Sequence, residues 1–429
     1  MARALILVTA LGLAALAGAG CGSSGSGSGG AVTLQVFGDA EELEAYRSLV
    51  AAFERATGDE AKLIEVADRD AHLQKISIGF AGGSPPDVFL VNYRNFAAFA
   101  ARGGLDPAGP RLQRSKTLDR AAFYPQPLEA FTYRGTLQCI PQNLSSLVVY
   151  YNRDLFRAAG LRDPARGWTY EQFRDAARKL TGPPVRGSAV RQYGVGLEPS
   201  IVRLAPFVWS AGGDLVDDPD DPGRFTIDTP RGREGLLAFL DLQGGDRLAP
   251  FEQEVEAKPL DERFLDGELG MFLSSRREVP GLRTIKTFDW DVAPFPRLRE
   301  PASVLHSDAY CLAKSDRAFA AWRFVEFAAG PEGQRVLARS GRIVPSLKRV
   351  AESEDFLDPR RRPRSSQVFL DAIPTIRRLP VASTWPEIED AADLAIKRAY
   401  YTELTVDEAL ERLDRETAPL LERARDAGP

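Results

Sequence analysis

The sequence predicts an α/β protein of more than one domain, and three observations carry that prediction. Short β-rich runs alternate with amphipathic helical stretches, the pattern of βαβ units around a mainly parallel sheet. The 429 residues exceed what one ordinary core accommodates, and such a length points to roughly two or three domains. An apolar fraction of 44% supplies ample core, and no repeat of about 20 to 50 residues is visible, which disfavours a solenoid.

The first twenty residues differ in kind from the rest. Arg3 precedes an apolar run from Ala4 to Ala17, which ends in Gly18, Ala19, Gly20 and Cys21. The run is shorter than the roughly 20 residues that span a bilayer and closes in small residues, so residues 1–20 read as an export signal. Cys21 opens the polar stretch GSSGSGSGG, and residues 21–30 form a flexible linker with no capacity to pack. A cysteine so placed resembles the acylation site of bacterial lipoproteins, although Gly18 stands where they usually carry Leu. The other reading is an unmodified cysteine beside an ordinary cleavage site.

From Ala31 the run AVTLQVFG is a strand, followed by the helix EELEAYRSLVAAFERATG. Leu43, Tyr46, Leu49, Val50 and Phe53 recur there at helical spacing, with Asp39 as cap and Gly58 as stop. AKLIEVA is the next strand, HLQKISIGF a short helix and PDVFLV a third strand. Ligands in such sheets sit at the carboxyl ends of strands, which directs attention to the turns after Val36 and Val91. In a second series Asn152 caps a helix, and Thr169 with Gln172 forms a capping box. Trp168 and Phe173 stand at the spacing of a hydrophobic staple around that cap. Later, AFAAWRFVEFAAGPEG presents an apolar face with Phe319, Trp322 and Val325. Thr405 and Glu408 open a last helix carrying Leu410, Leu413 and Leu420.

Composition excludes several classes. Basic residues are scattered among acidic ones and net charge is slightly negative, which argues against nucleic acid as a partner. With only Cys139, Cys311, His72 and His306 in the mature chain, no cluster has metal-ligand spacing, and neither metal nor cofactor is expected. Export permits a Cys139–Cys311 disulfide; two buried reduced thiols are the alternative. The sequence has no GxSxG elbow, HExxH helix or P-loop, so an exported enzyme such as a glycoside hydrolase is disfavoured.

The order of segments resembles the extracellular solute-binding proteins of carbohydrate-type ABC importers, among them maltose- and glycerol-phosphate-binding proteins. The likeness runs from about Val32 to Leu421. It is carried by FERATG, GGSPPDVFLV with FAARGGLDP, IPQNLSSLVVYYNRDLFRAAGL with GWTYEQFRDAARKLT, WSAGGDLV, FLDGELGMFLSS, DWDVAPFP, AWRFVEFAAGPEGQ and GRIVPS. The resemblance implies a type II periplasmic-binding-protein-like fold with discontinuous lobes, 31–142 plus 295–341 and 143–294 plus 342–429. Crossings fall near Gln142 to Ser145, Trp290 to Pro294 and Gly341 to Pro345. It further implies a monomer, tethered outside the cytoplasmic membrane, that clamps a solute between its lobes and delivers it to membrane permease subunits. A sugar is the expected solute. Glycerol phosphate or another polar solute, and presentation to a membrane sensor, are the alternatives.

Sugars combine apolar faces with hydroxyl edges, so a pocket needs aromatic platforms and fixed polar groups. Trp168 has its staple role, Trp290 lies in a strand and Trp322 on a helix face, which leaves Trp209 and Trp385 as candidates. Gly212 and Gly213 after Trp209 would let backbone approach a ligand closely. Phe37 and Asp39 follow the first strand, where Asp39 is equally well only a helix cap. Asn92 and Tyr93 follow the third strand, and Asn143 and Ser145 lie in the first crossing. Ser274 and Arg276 follow LGMFL, Asp308 and Tyr310 precede Cys311, and Arg342 lies in the third crossing. For these, a ligand contact stands against a structural or solvated role.

Overall fold

Strand β1 (Val32–Phe37) is almost wholly buried, as expected of the middle of a sheet covered on both faces. It pairs in parallel with β2 (Ala61–Val66) and β3 (Val88–Asn92). The computed structural model describes residues 30–184 and 191–426. The predicted signal, Cys21 and all but the last residue of the linker lie outside the described residues.

The ten strands of the two main sheets continue with β4 (Cys139–Pro141), β5 (Val148–Asn152), β6 (Gly182–Pro184), β7 (Arg191–Gly196), β8 (Leu269–Ser274), β9 (Trp290–Pro294) and β10 (Asp308–Leu312). The first sheet has the order β2-β1-β3-β10-β4 and the second β9-β5-β8-β7-β6. Each is the centre of one lobe of an α/β fold. The expectation of mainly parallel sheets needs correction, because both are mixed. β5 runs antiparallel to β8 and β9, and β10 runs antiparallel to β3 and β4. These are the strands on which the chain enters a sheet directly from the other one, without the crossover helix that makes neighbours parallel.

Helix α1 (Ala40–Thr57) starts where Asp39 accepts a hydrogen bond from the Glu42 amide and stops at Gly58, in the left-handed region. α2 (Tyr93–Ala101) is capped by Asn92. α3 (Tyr170–Leu180) has the capping box of Thr169 and Gln172, and Trp168 meets Phe173 edge to face at 5.5 Å. α4 (Ile201–Ser210) is followed by α5 (Pro331–Ser340), α6 (Trp385–Tyr400) and α7 (Val406–Asp426). Thr405 and Glu408 bond reciprocally at the start of α7. Phe319 departs from its expected burial: on the first turn of its helix it is 74% exposed, while Trp322 and Val325 enter the core.

Cys139 and Cys311 are register partners on β4 and β10, and a disulfide joins them with their Cα atoms 4.4 Å apart. The chain leaves the first sheet after Pro141 and returns to it at Asp308. The crossing segments are themselves paired, Asn143 with Pro345 and Ser145 with His306. Backbone bonds from Leu144 N to Val344 O (3.0 Å) and from Ser145 N to His306 O (2.7 Å) hold them side by side.

Candidate functional site

A cleft of about 470 Å³ opens between the two sheets. Phe37 and Asn92 reach it from the ends of β1 and β3, Ser275 to Glu278 from the end of β8, and Glu198 to Arg203 from the segment after β7. Asn143, Ser145, His306 and Arg342 to Val344 of the crossings form its floor.

Polar groups on this floor are fixed by one another. The Asn92 side-chain amide donates to Asp308 Oδ1 (3.1 Å), and its oxygen accepts from Arg94 Nε (3.0 Å). Asn143 Oδ1 accepts from the Asp308 amide (3.0 Å), and Asn143 Nδ2 reaches Asp308 Oδ2 at 3.5 Å. Arg94 in turn pairs with Glu389 of α6. Also on this floor, Arg342 pairs with both Asp39 and Glu42 of α1. Burial pushes the Glu42 carboxyl up to about 7 against the pull of Arg342 and Arg277.

Arg203 Nη1 donates to His306 Nε2 at 3.2 Å, while the Arg203 Nε is buried without a partner among the described residues. Burial, reinforced by Arg203 and Arg94, holds the His306 imidazole well below its usual range, so it is neutral at neutral pH. Asp393 accepts from the Ile201 amide at the start of α4 (2.6 Å), and burial pushes its carboxyl up to about 8.

The Asp393 shift has a testable sign. A carboxyl whose folded pKa is raised from 3.8 to about 8 binds its proton more tightly in the folded state, so the stability it allows is lost as pH rises through that window. Asp393→Asn keeps an acceptor for the Ile201 amide and removes the charge. The variant is expected to gain stability over wild type as pH rises from 4 to 8, reaching at least about 1.4 kcal/mol, the equivalent of one pKa unit. Denaturant melts across that range check it, and a pH-independent difference counts against the buried carboxyl.

Of the residues singled out from sequence, Phe37, Asn92, Asn143, Ser145, Arg276, Asp308 and Arg342 line the cleft. Arg276 does so with its guanidinium engaged elsewhere: it donates to Gly341 O (2.8 Å) and Ser366 Oγ (3.0 Å) and lies 4.6 Å from the Phe356 ring centre. Asp39 is both the cap of α1 and a partner of Arg342, outside the lining.

The remaining candidates need correction. Tyr93 and Tyr310 are fully buried, their hydroxyls accepting from Leu379 N and Gln142 Nε2. Ser274 is buried and donates to Glu278. Trp385 is fully buried, with its ring centre 6.5 Å from that of Phe225. Trp209 is 3% exposed under the Arg377 guanidinium, 4.8 Å from its ring centre. It sits near the far end of α4, six residues and so about 9 Å along the axis from the cleft-lining Arg203. Gly213 does allow a close approach, but to protein: a Cβ there would meet Gly232 N at 2.7 Å. Gly212 serves the same turn with φ of +84°.

Sequence reading missed Glu42, Arg94, Arg203, Glu278, His306, Glu389 and Asp393. A signal existed for some of them: Arg94 lies two residues past a strand end, and His306 is one of only two histidines and stands two before Asp308. None marked Glu389 or Asp393, which only the folding back of α6 brings to the cleft.

The model of the bacterial extracellular solute-binding protein family matches residues 39–335, and the chain belongs to that family. A binding protein of Brucella abortus is 22% identical over 351 residues, 78% of this chain and 80% of its own length. An ABC substrate-binding protein of Listeria monocytogenes, solved in complex with cycloalternan, superposes with a TM-score of 0.82. It is 22% identical and covers 91% of this chain and 98% of its own. UgpB of Mycobacterium tuberculosis, solved with glycerophosphocholine, gives 0.78 at 19% identity, covering 92% of this chain and 99% of its own.

Proposed function

We propose that this protein captures a sugar in the cleft and hands it, chemically unchanged, to the membrane permease of an ABC importer. The observation that carries the reading is the Asn92–Asp308–Asn143 network on the cleft floor beside Phe37. Amide and carboxylate groups held in fixed geometry match the paired donor and acceptor of sugar hydroxyls, and a phenyl ring offers an apolar face. The lobes are taken as 31–142 plus 295–341 and 143–294 plus 342–429, closing as a monomer. Cys21 is taken as the lipidated anchor outside the cytoplasmic membrane, which the mass of the mature amino terminus tests.

A thermal-shift screen over mono- and oligosaccharides, followed by calorimetry, tests the sugar reading. A solute at one hundred times its Kd adds about 2.7 kcal/mol to stability. Asp308→Ala is expected to weaken binding about tenfold to a hundredfold, since a hydrogen bond to a charged group contributes about 1.5–3 kcal/mol. Undiminished affinity in a folded variant would place the solute elsewhere, and turnover of the solute would end the binding-protein reading.

Arg203, with its unpartnered Nε, and the exposed Arg277 favour a second reading in which the solute is a phosphorylated polyol. Glycerol phosphates in the same screen, stabilising where sugars do not, would select it.

A further inference from the structure

Arg203 differs from the other buried guanidiniums that line the cleft. Arg94 and Arg342 have carboxylate partners on α6 and around the start of α1, and Arg276 is turned away to Gly341, Ser366 and the Phe356 ring. Arg203 has Nη1 on the neutral His306 imidazole and a buried Nε without a partner among the described residues. Its Nη2 comes no nearer than 3.8 Å to a carboxylate, that of Glu198. The Glu198 side chain is 70% exposed and that of Arg203 only 13%, so water screens the anion while the cation stays desolvated.

The other acids around Arg203 do not supply the missing charge. Asp393 bonds the Ile201 amide two residues away, but its carboxyl is pushed up to about 8 and keeps its proton at neutral pH. Glu278 is also raised by burial and accepts from Ser274, and Glu389 is taken by Arg94. A buried cation without a fixed counter-charge is unfavourable, and on the wall of a cleft an anion brought by the solute offsets it. The hydroxyl-binding network lies next to this cation. His306, which Arg203 contacts, and Asp308 both line the cleft, two residues apart on one extended segment that pairs with Ser145 and Asn92. Such residues face the same side about 7 Å apart, the scale of one sugar ring with its substituent.

We propose that the solute is a sugar bearing an anionic group, with its ring hydroxyls on Asn92, Asn143 and Asp308 and its charge on Arg203 beside His306. This class rests on the reading of the cleft as a sugar site and narrows it. A carboxylate and a phosphate share the required chemistry, since each accepts charge-assisted hydrogen bonds from a guanidinium. A neutral sugar would satisfy the hydroxyl network and leave the Arg203 charge as it stands.

Calorimetry of the full mature chain, with hexuronates and hexose phosphates each run against the neutral parent sugar, tests the class. At least one acidic sugar is expected to bind about tenfold to a hundredfold more tightly than its parent, the range of a hydrogen bond to a charged group. The series that does so tells carboxylate from phosphate. Arg203→Met is expected to erase that ratio, and Arg203→Lys, which keeps the charge, to retain part of it and to carry the test should the Met variant fail to fold. With no sugar added, R203M is expected to melt above wild type, whereas loss of a merely structural contact would lower the midpoint. Parent sugars that bind as tightly as their acids would overturn the acidic class and leave sugar capture standing. An acid preference that persists in folded R203M, or a lowered midpoint, would overturn the role of Arg203. Failure of every sugar, acidic and neutral alike, would end the sugar reading itself.

Discussion

Replacing Cys139 and Cys311 by Ala is expected to lower the free energy of unfolding by about 4–5 kcal/mol. The two half-cystines are 172 residues apart in sequence, and a ring of that size removes about this much chain entropy from the unfolded state. The bridge joins register partners on the edge strand β4 and its neighbour β10, which backbone bonds also pair, so its loss leaves the strand pairing in place and shows chiefly in stability. Denaturant melts of the variant and of reduced wild type should agree. Unchanged midpoints in both would mean that the bridge constrains nothing the sheet does not already hold.

Trp209→Ala is expected to cost about 3–5 kcal/mol of stability, the usual range for emptying a buried tryptophan site, while solute affinity stays at the wild-type value. The indole is packed along α4 beneath Arg377, which itself bonds Asp214. Calorimetry and thermal melts of the same sample separate the two effects. A folded variant with weakened binding and wild-type stability would return Trp209 to the cleft.

Those two cases show what the sequence made legible. The strand and helix alternation and the caps at Asp39, Asn152 and Thr169 were readable because each depends on neighbours within a few residues. The crossings were implied by the family resemblance alone, and the one expected at Trp290 to Pro294 needs correction, because those residues are strand β9, paired with β5 in the second sheet. The polar cleft residues Asn92, Asn143 and Asp308 were readable from their place at strand ends. The aromatic residues were misassigned for one physical reason: Trp209, Trp385, Tyr93 and Tyr310 are large apolar groups next to cleft segments, and burial in a core takes such groups in preference to a solvated wall. The pairing of the charged groups was not legible, since Arg342 reaches Asp39 and Glu42, and Arg94 reaches Glu389, across 303, 300 and 295 residues of chain.

The position of β10 has a consequence for the order in which the molecule can be built. Every strand of the second sheet lies between Val148 and Pro294, and that sheet is complete once this contiguous stretch exists. The first sheet is not: β10 lies between β3 and β4, so those two strands have no common neighbour until residues 308–312 are present. For a chain that emerges amino terminus first, the sheet that begins earliest is therefore the one that finishes last. The far edge of β3 and strand β4 wait with unpaired backbone through the synthesis of the entire second sheet. Nascent-chain fragments ending near residue 300 would present a finished second sheet beside an unfinished first, the form of this protein most in need of a holding partner during export.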